Sequence, residues 1–396
     1  RQASTWIENA IGSFAVPVGI VPGVYLDGKI THVPLATEET SIIAALNRVA
    51  KWVRDSGELT TKRTGNLVTG QLYVPEVTNS HAFKAQLLAE APALLDLLNQ
   101  TVLHGMAQRG GGAKTLTVRP LASIHQNTTA HVIEIQCEMC DAMGANLVTM
   151  AAEKLKPSIE AITGEQIHAC IVSNLSEGTC TQATLCLKNL SSEVQTRMVT
   201  TAQWACQDPA RAATHNKGVM NAISALMLAT GNDTRAVEAG IHAYAAKTGQ
   251  YQPITHWRQT QKGLVGTFKA PLMLGTVGGL TAAHPMAQHA LKIMKIQTAP
   301  ELARITAGIG LMQNAAALYA LSTDGLMSGH MRLHIDNLLE HSQATPDMYP
   351  TLKAALCLKL QTQKSITLTD VSKAIEQFNH APPLESTMQQ QPDRGE

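Results

Sequence analysis

The sequence predicts an α+β protein: a large, mainly helical domain carrying an inserted small domain of βαββαβ order, the ferredoxin-like unit. Three observations predict it. Between about residues 66 and 174, short runs of alternating apolar and polar residues mark strands at 71–77, 114–121, 131–139 and 166–175. The third is the clearest, with Ile133, Ile135, Cys137 and Met139 alternating against Glu134, Gln136 and Glu138. Helical spacing fills 81–103 and 146–162 between those strands. Outside this region the period is helical, as in Ile42, Ile43, Leu46, Val49 and Val53, or in Val219, Met220, Ile223, Leu226 and Met227. A chain of 396 residues is long enough for two or three domains. The expected boundaries are 1–65 with 176–325 for the large domain, 66–175 for the small one, and 326–396 for a C-terminal piece.

Composition narrows the function classes. The formal charge is +1 with Lys and Arg scattered, so nucleic acid is not an expected partner. Apolar runs stop well short of the 18 or so residues that span a bilayer, and the N-terminus lacks a signal-peptide pattern. A soluble, cytoplasmic protein without membrane contact is expected. The chain starts at Arg1 without methionine, so a leading segment is expected to precede it. Seven widely spaced cysteines, an odd number, read as reduced thiols. Cys137 and Cys140 form a CxxC, but no second pair lies at zinc spacing and no metal site is expected.

Several polar residues sit where they need partners. In the stretch from Arg211 to Gly240, Lys217 and Asp233 flank an apolar helical segment stopped by Gly231. A helix from one to the other is about 24 Å long, so the two cannot meet along one straight helix. Read from the residues alone, a cap and a solvated charge explain them. Glu38 and Glu39 precede another helical pattern, where the helix dipole favours carboxylates. Asp141-Ala142-Met143-Gly144-Ala145-Asn146 reads as a strand-to-helix turn whose exposed amides can hold a phosphate or ribose. No G-x-G-x-x-G follows a predicted strand, so a Rossmann site is not supported. The run Arg109-Gly110-Gly111-Gly112 reads as a connector. Gln313 and Asn314 lie in an apolar helix and need hydrogen-bond partners. His330 and His334 stand four apart, but Met331 occupies the glutamate position of an HExxH site.

The segments THNKG and ATGNDTRAVEAG resemble 3-hydroxy-3-methylglutaryl-CoA reductase, specifically its bacterial class II form. The resemblance begins at Ile7-Glu8-Asn9-Ala10-Ile11-Gly12 and covers nearly the whole chain, with at least five motifs in order. It implies that Lys217 and Asp233 are catalytic, joined by Glu39 from the PLxxEE-type segment and by His330 from GHM on a mobile C-terminal flap. It further implies substrate contacts at Ser41, Arg211, Asn221, Gln313 and Asn314, with Arg211 holding the free carboxylate. The DAMGxN signature implies a nicotinamide site at Asp141, Met143, Gly144 and Asn146, with Asn174 beside it. The glycine-rich Gly275–Thr281 stretch is expected near the substrate, and family residues preceding this N-terminus help bind coenzyme A. The cofactor is NADPH or NADH. In one NAD-dependent branch an acid recognises the ribose; an ungapped comparison puts Leu103 there, which leaves the choice open with a slight lean to NADPH.

The implied reaction is a two-stage reduction of a thioester to an alcohol through mevaldyl-CoA and mevaldehyde, using two hydrides. Hydroxymethylglutaryl-CoA, mevalonate and coenzyme A are the expected small-molecule partners. The separation of Lys217 from Asp233 predicts a site assembled between two subunits of an obligate homodimer or dimer-based oligomer, or else a sharp fold-back. Alternatives are the same chemistry run as mevalonate oxidation, a metallohydrolase using His330 and His334, and a non-catalytic acyl-CoA binding protein.

Overall fold

The computed structural model describes residues 3–63, 65–122, 128–323, 335–363 and 365–380. The chain divides into two compact units, Arg1–Thr323 and Asp324–Glu396. The first unit begins with a short helix α1 (Ala3–Trp6), then an antiparallel pair, β1 (Val18–Leu26) and β2 (Lys29–Ala36), and helix α2 (Ile42–Ser56). Strand β3 (Glu58–Arg63) leads into the small domain.

That domain has the order expected from its alternation: β4 (Leu67–Val77), α3 (Ser80–Gln100), a short α4 (His104–Ala107), β5 (Gly112–Leu121), β6 (Thr129–Glu138), α5 (Ala145–Thr163) and β7 (Ala169–Ser173). Its antiparallel sheet runs β5-β6-β4-β7, the ferredoxin-like arrangement. On β6, Ile133, Ile135 and Cys137 are fully buried, as is Met139 just beyond the strand, while Glu134, Gln136 and Glu138 keep partial exposure. Successive side chains point to opposite sheet faces, so one face of β6 packs under α3 and α5 with Leu87 and Leu155. Each such fully buried Leu or Ile contributes about 1.5–3 kcal/mol. Cys137 belongs to this core, and burial pushes its thiol up to about 12. Cys137 is therefore a packing residue, and Cys140 lies half-buried in the turn that follows.

After the small domain come β8 (Cys180–Leu187), α6 (Ser192–Gln207), α7 (Pro209–Ala229), α8 (Thr234–Ala246), β9 (Thr255–Thr260), β10 (Gly263–Pro271), α9 (Gly279–Ala283), α10 (Pro285–Met294) and α11 (Ala299–Ser322). Helix α11 is the hub. A capping box between Thr298 and Glu301 starts it, and it is buried along most of its length against α2, α6, α7 and β8.

The large domain is less purely helical than its sequence predicts, because β3, β8, β10 and β9 form a four-stranded antiparallel sheet under α11. Helix α7 also begins earlier than expected. Asp208 accepts a hydrogen bond from the Ala210 amide at 2.9 Å and Pro209 fills the first helical position, so Lys217 lies mid-helix rather than at the start. In the second unit, helices Tyr349–Thr362 and Leu368–His380 pack around Leu352, Leu356, Ile366 and Val371. No helix among the described residues is long and apolar enough to cross a membrane.

Candidate active site

The loop between β2 and α2 delivers Glu39. The sequence places Glu38 and Glu39 in a helical first turn, but α2 starts only at Ile42 and has no acid there. Ser41 ends the loop at φ 76°, a left-handed conformation that costs a non-glycine residue roughly 1–3 kcal/mol and stops the helix from reaching back. Glu39 is thereby free of the helix and meets α7. Lys217 Nζ donates to Glu39 Oε2 at 2.9 Å, and Asn221 Nδ2, one turn on, donates to Oε1 at 3.4 Å. The pair is solvent-accessible, with side-chain exposures of 61% for Lys217 and 36% for Glu39. A cation and a carboxylate open to a ligand suit oxyanion stabilisation and proton transfer.

Arg211 lies upstream on the same helix and is only 9% exposed. Its guanidinium sits 5.5 Å from the Trp204 ring centroid, and burial lowers its pKa. It makes no ion pair among the described residues. A nearly buried guanidinium without a carboxylate favours binding an anion.

A second cluster gathers three turns at the other end of α7. The Asp141 carbonyl accepts from the Thr276 amide at 2.9 Å, and its carboxylate accepts from the Ala299 amide at 2.8 Å, at the start of α11. Ala142 bridges Val277, and Asn232 Oδ1 accepts from the Gly275 amide at 2.8 Å. Gly275 allows this approach, since a side chain there would come within 2.5 Å of the Met143 nitrogen. Gly144 begins α5 at φ 88°, which suits glycine, and no side chain caps the helix. The first-turn amides of a 19-residue helix thus remain available to a phosphate, which fits the expected dinucleotide. Asn146 is exposed on that turn, Met143 is half-buried, and the half-buried Asn174 follows β7 with its carbonyl against Gly240.

Asp233 belongs to this second cluster. It caps α8, accepting from the Arg235 and Ala236 amides at 3.0 and 3.2 Å, and pairs with Arg235 at 3.3 Å. From Lys217, α7 runs on to Ala229, about 18 Å, before the turn that carries Asp233. The chain thus brings Glu39, Lys217 and Asn221 together and engages Asp233 elsewhere. His330 and His334 lie outside the described residues, among which no group of three metal-ligating side chains occurs.

Gln313 and Asn314 fare differently from one another. Asn314 Oδ1 accepts from Thr255 Oγ1 at 2.9 Å and from Trp257 Nε1 at 2.8 Å, so both lone pairs are used inside the core and this oxygen is no substrate contact. Gln313 Oε1 is buried with no partner among the described residues. The same network extends to His215, whose Nε2 lies 2.6 Å from Thr255 Oγ1, and to Asn216, which binds the Gln252 carbonyl and the Ile254 amide. The sequence reading missed this anchor. The signal was present as two polar residues, His215 and Asn216, directly before Lys217 in an apolar helix.

His215 makes a testable element of stability. Burial, reinforced by Arg211 and then His256, pulls its pKa from 6.5 down to about 4. The unfolded state therefore binds the proton more readily, and the contribution of neutral His215 is full above pH 6.5 and lost as pH falls toward 4. The difference corresponds to about 3 kcal/mol. In denaturant titrations, wild type should lose about that much more stability than His215→Gln across this window; parallel curves would contradict it.

A family model described as hydroxymethylglutaryl-coenzyme A reductase matches residues 1–335. The chain belongs to this family. It is 42% identical over 349 residues to the 3-hydroxy-3-methylglutaryl-coenzyme A reductase of Archaeoglobus fulgidus, covering 87% of this chain and 79% of that one. A probable reductase of Borreliella burgdorferi is 34% identical, with 84% and 77% covered. The class II reductase of Streptococcus pneumoniae, solved bound to NADPH in open conformations, superposes with a TM-score of 0.78 at 34% identity, covering 81% of this chain and 89% of that one. A further structure of the Streptococcus pneumoniae enzyme gives 0.79 at 32% identity over 95% and 90%.

As a member of the hydroxymethylglutaryl-CoA reductase family, the chain is an NAD(P)H-dependent oxidoreductase that reduces hydroxymethylglutaryl-CoA in the mevalonate pathway. Within that assignment one position changes meaning. Leu103 is fully buried in the small-domain core, so it is not a ribose-contacting site and carries no information on cofactor choice.

Proposed function

We propose that Glu39, Lys217, Asp233 and His330 carry the reduction, in a site shared between two copies of this chain, with NADPH preferred over NADH. The carrying observation is the cluster of Glu39, Lys217 and Asn221 on the helix that also bears the unpaired Arg211. Arg211 holds the free carboxylate of the hydroxymethylglutaryl group through a bidentate guanidinium. The thioester carbonyl then lies at Lys217, whose ammonium stabilises the oxyanion formed at each stage. Glu39 donates the proton to that oxygen, and Asn221 holds the carboxyl in place. His330 protonates the departing thiolate.

The nicotinamide cofactor supplies the hydride, with Gly144, Asn146 and the α5 amides binding its phosphates and ribose, and Met143 and Asn174 flanking the ring. Asp141 acts by fixing that turn on α11. Asp233 faces a different end of α7 from Lys217, which supports its contribution from a second copy, where it orients the lysine. The Streptococcus pneumoniae relative bound to NADPH supports that cofactor. Seven cysteines joined by no disulfide fit a reducing cytoplasm.

The testing assay follows reduced-nicotinamide absorbance with hydroxymethylglutaryl-CoA and each cofactor side by side. Two cofactors should be consumed per mevalonate, with the higher kcat/KM for NADPH; a higher value for NADH would reverse the preference. For His330→Gln, reduction of the thioester should collapse while reduction of free mevaldehyde persists, because no thiolate leaves in that half-reaction. Equal loss in both would refute its role.

A further inference from the structure

Away from both clusters, a cavity of about 500 Å³ opens between the outer face of the four-stranded sheet and the end of α8. Its size is that of a small-molecule site. Its apolar lining is the half-buried ring of Tyr244, backed by Ala245 and Pro253, while Phe268 and Ile254 border it from the core side. The rim is cationic and hydroxylated: Lys269 and Thr267 from β10, His256 from β9 and Lys247 from α8. No carboxylate is among its described lining residues. Lys247 is already engaged, with Glu177 at 2.8 Å and with the Tyr244 ring at 4.5 Å. Lys269 is exposed and makes no ion pair among the described residues. An aromatic wall beside an ammonium that makes no ion pair among the described residues suits a ligand with an apolar body and an anionic head.

The cavity wall is also the anchor of the active-site helix. Gln252, Pro253, Ile254 and His256 line it, and this short segment grips α7 just before Lys217. The Gln252 carbonyl and Ile254 amide hold both ends of the Asn216 amide, at 2.9 and 3.0 Å. Thr255, within the same segment, holds His215 at 2.6 Å. A ligand that displaced residues 252–256 would act on α7 at His215 and Asn216, the two residues directly before Lys217.

We propose that this cavity is an effector site for an amphipathic anion, a carboxylate or phosphate bearing an apolar chain, that acts on the catalytic helix through residues 252–256. The binding half stands without the assigned reaction; the coupling half rests on the role proposed for Lys217.

The test uses calorimetry on the full-length protein with n-hexyl phosphate, hexanoate, n-hexanol and inorganic phosphate as probes, with coenzyme A present at saturation so that its own site is filled. At least one of the two amphipathic anions should bind, hexanol and inorganic phosphate should bind at least tenfold more weakly, and Lys269→Gln should weaken the anion at least tenfold. Lys269→Gln should keep wild-type turnover without probe. In the kinetic arm, the bound anion should change KM for hydroxymethylglutaryl-CoA in wild type and leave it unchanged in Lys269→Gln. Absence of binding, equal binding of hexanol, or an unaffected variant would overturn the site. Binding without any change in KM or kcat would overturn the effector role. Because calorimetry needs no turnover, these failures are distinguishable from failure of the assigned reaction.

Discussion

Lys217→Ala is expected to lower kcat about a thousandfold while leaving the fold intact. The first half follows from chemistry: a preorganised cation facing a developing oxyanion is worth on the order of a hundred- to thousandfold for a single donor, and in the proposed mechanism it serves both hydride stages. The second follows from exposure. Lys217 and Glu39 are paired at 2.9 Å but are 61% and 36% exposed, and exposed pairs contribute no more than about 1 kcal/mol. Activity and thermal midpoint should therefore separate: kcat falls with both hydroxymethylglutaryl-CoA and mevaldehyde, and the melting curve scarcely moves. Activity within tenfold of wild type would remove Lys217 from the mechanism, and a large loss of midpoint would make its role structural.

Mixing Lys217→Ala and Asp233→Ala proteins should restore activity that neither has alone. Within one chain Lys217 is bound to Glu39, while Asp233 is bound to the start of α8 and to Arg235. About 18 Å of helix lies between Lys217 and the turn before Asp233. If a second copy supplies the aspartate, a hybrid dimer holds one site with both defects and one with neither. Random exchange gives half hybrids, each with one working site of two, so the mixture should reach about a quarter of wild-type specific activity. Hybrids that form but stay inactive would place both residues in one chain's site. Apolar side chains such as Ile11, Phe14 and Ile30 are strongly exposed in the single chain, as a surface made for a partner would be.

The small domain was legible because its strands are half-buried. From Ile133 onward every second residue of β6 is apolar, and the period of two survives in the sequence. The large-domain sheet was not, because β3 (ELTTKR) and β9 (THWRQT) each offer few apolar residues to the core: Leu59 in one, Trp257 in the other. Their polar partners form the outer sheet face, so neither strand alternates long enough to be recognised. The start of α7 was missed although Asp208-Pro209 spells a cap followed by a first-turn proline. In the site, spacing alone left Glu39 as a dipole-favoured acid. Its meeting with Lys217 depends on a contact 178 residues apart and on the backbone twist at Ser41, neither of which has a local signature.

Strands β3 and β8 are neighbours in one antiparallel ladder, with Arg63 opposite Thr181. The chain leaves the ladder at the first and returns at the second, and a methyl group on Gly65 would come within 3.1 Å of the Gly178 carbonyl. Joined directly, the two strands would make an ordinary β-hairpin. The whole inserted β4–β7 unit thus hangs where a tight turn would serve, as a cassette with entry and exit side by side. Such an attachment lets the inserted unit be exchanged between relatives, or drift on its own, without re-threading the sheet and helices that carry Glu39 and Lys217.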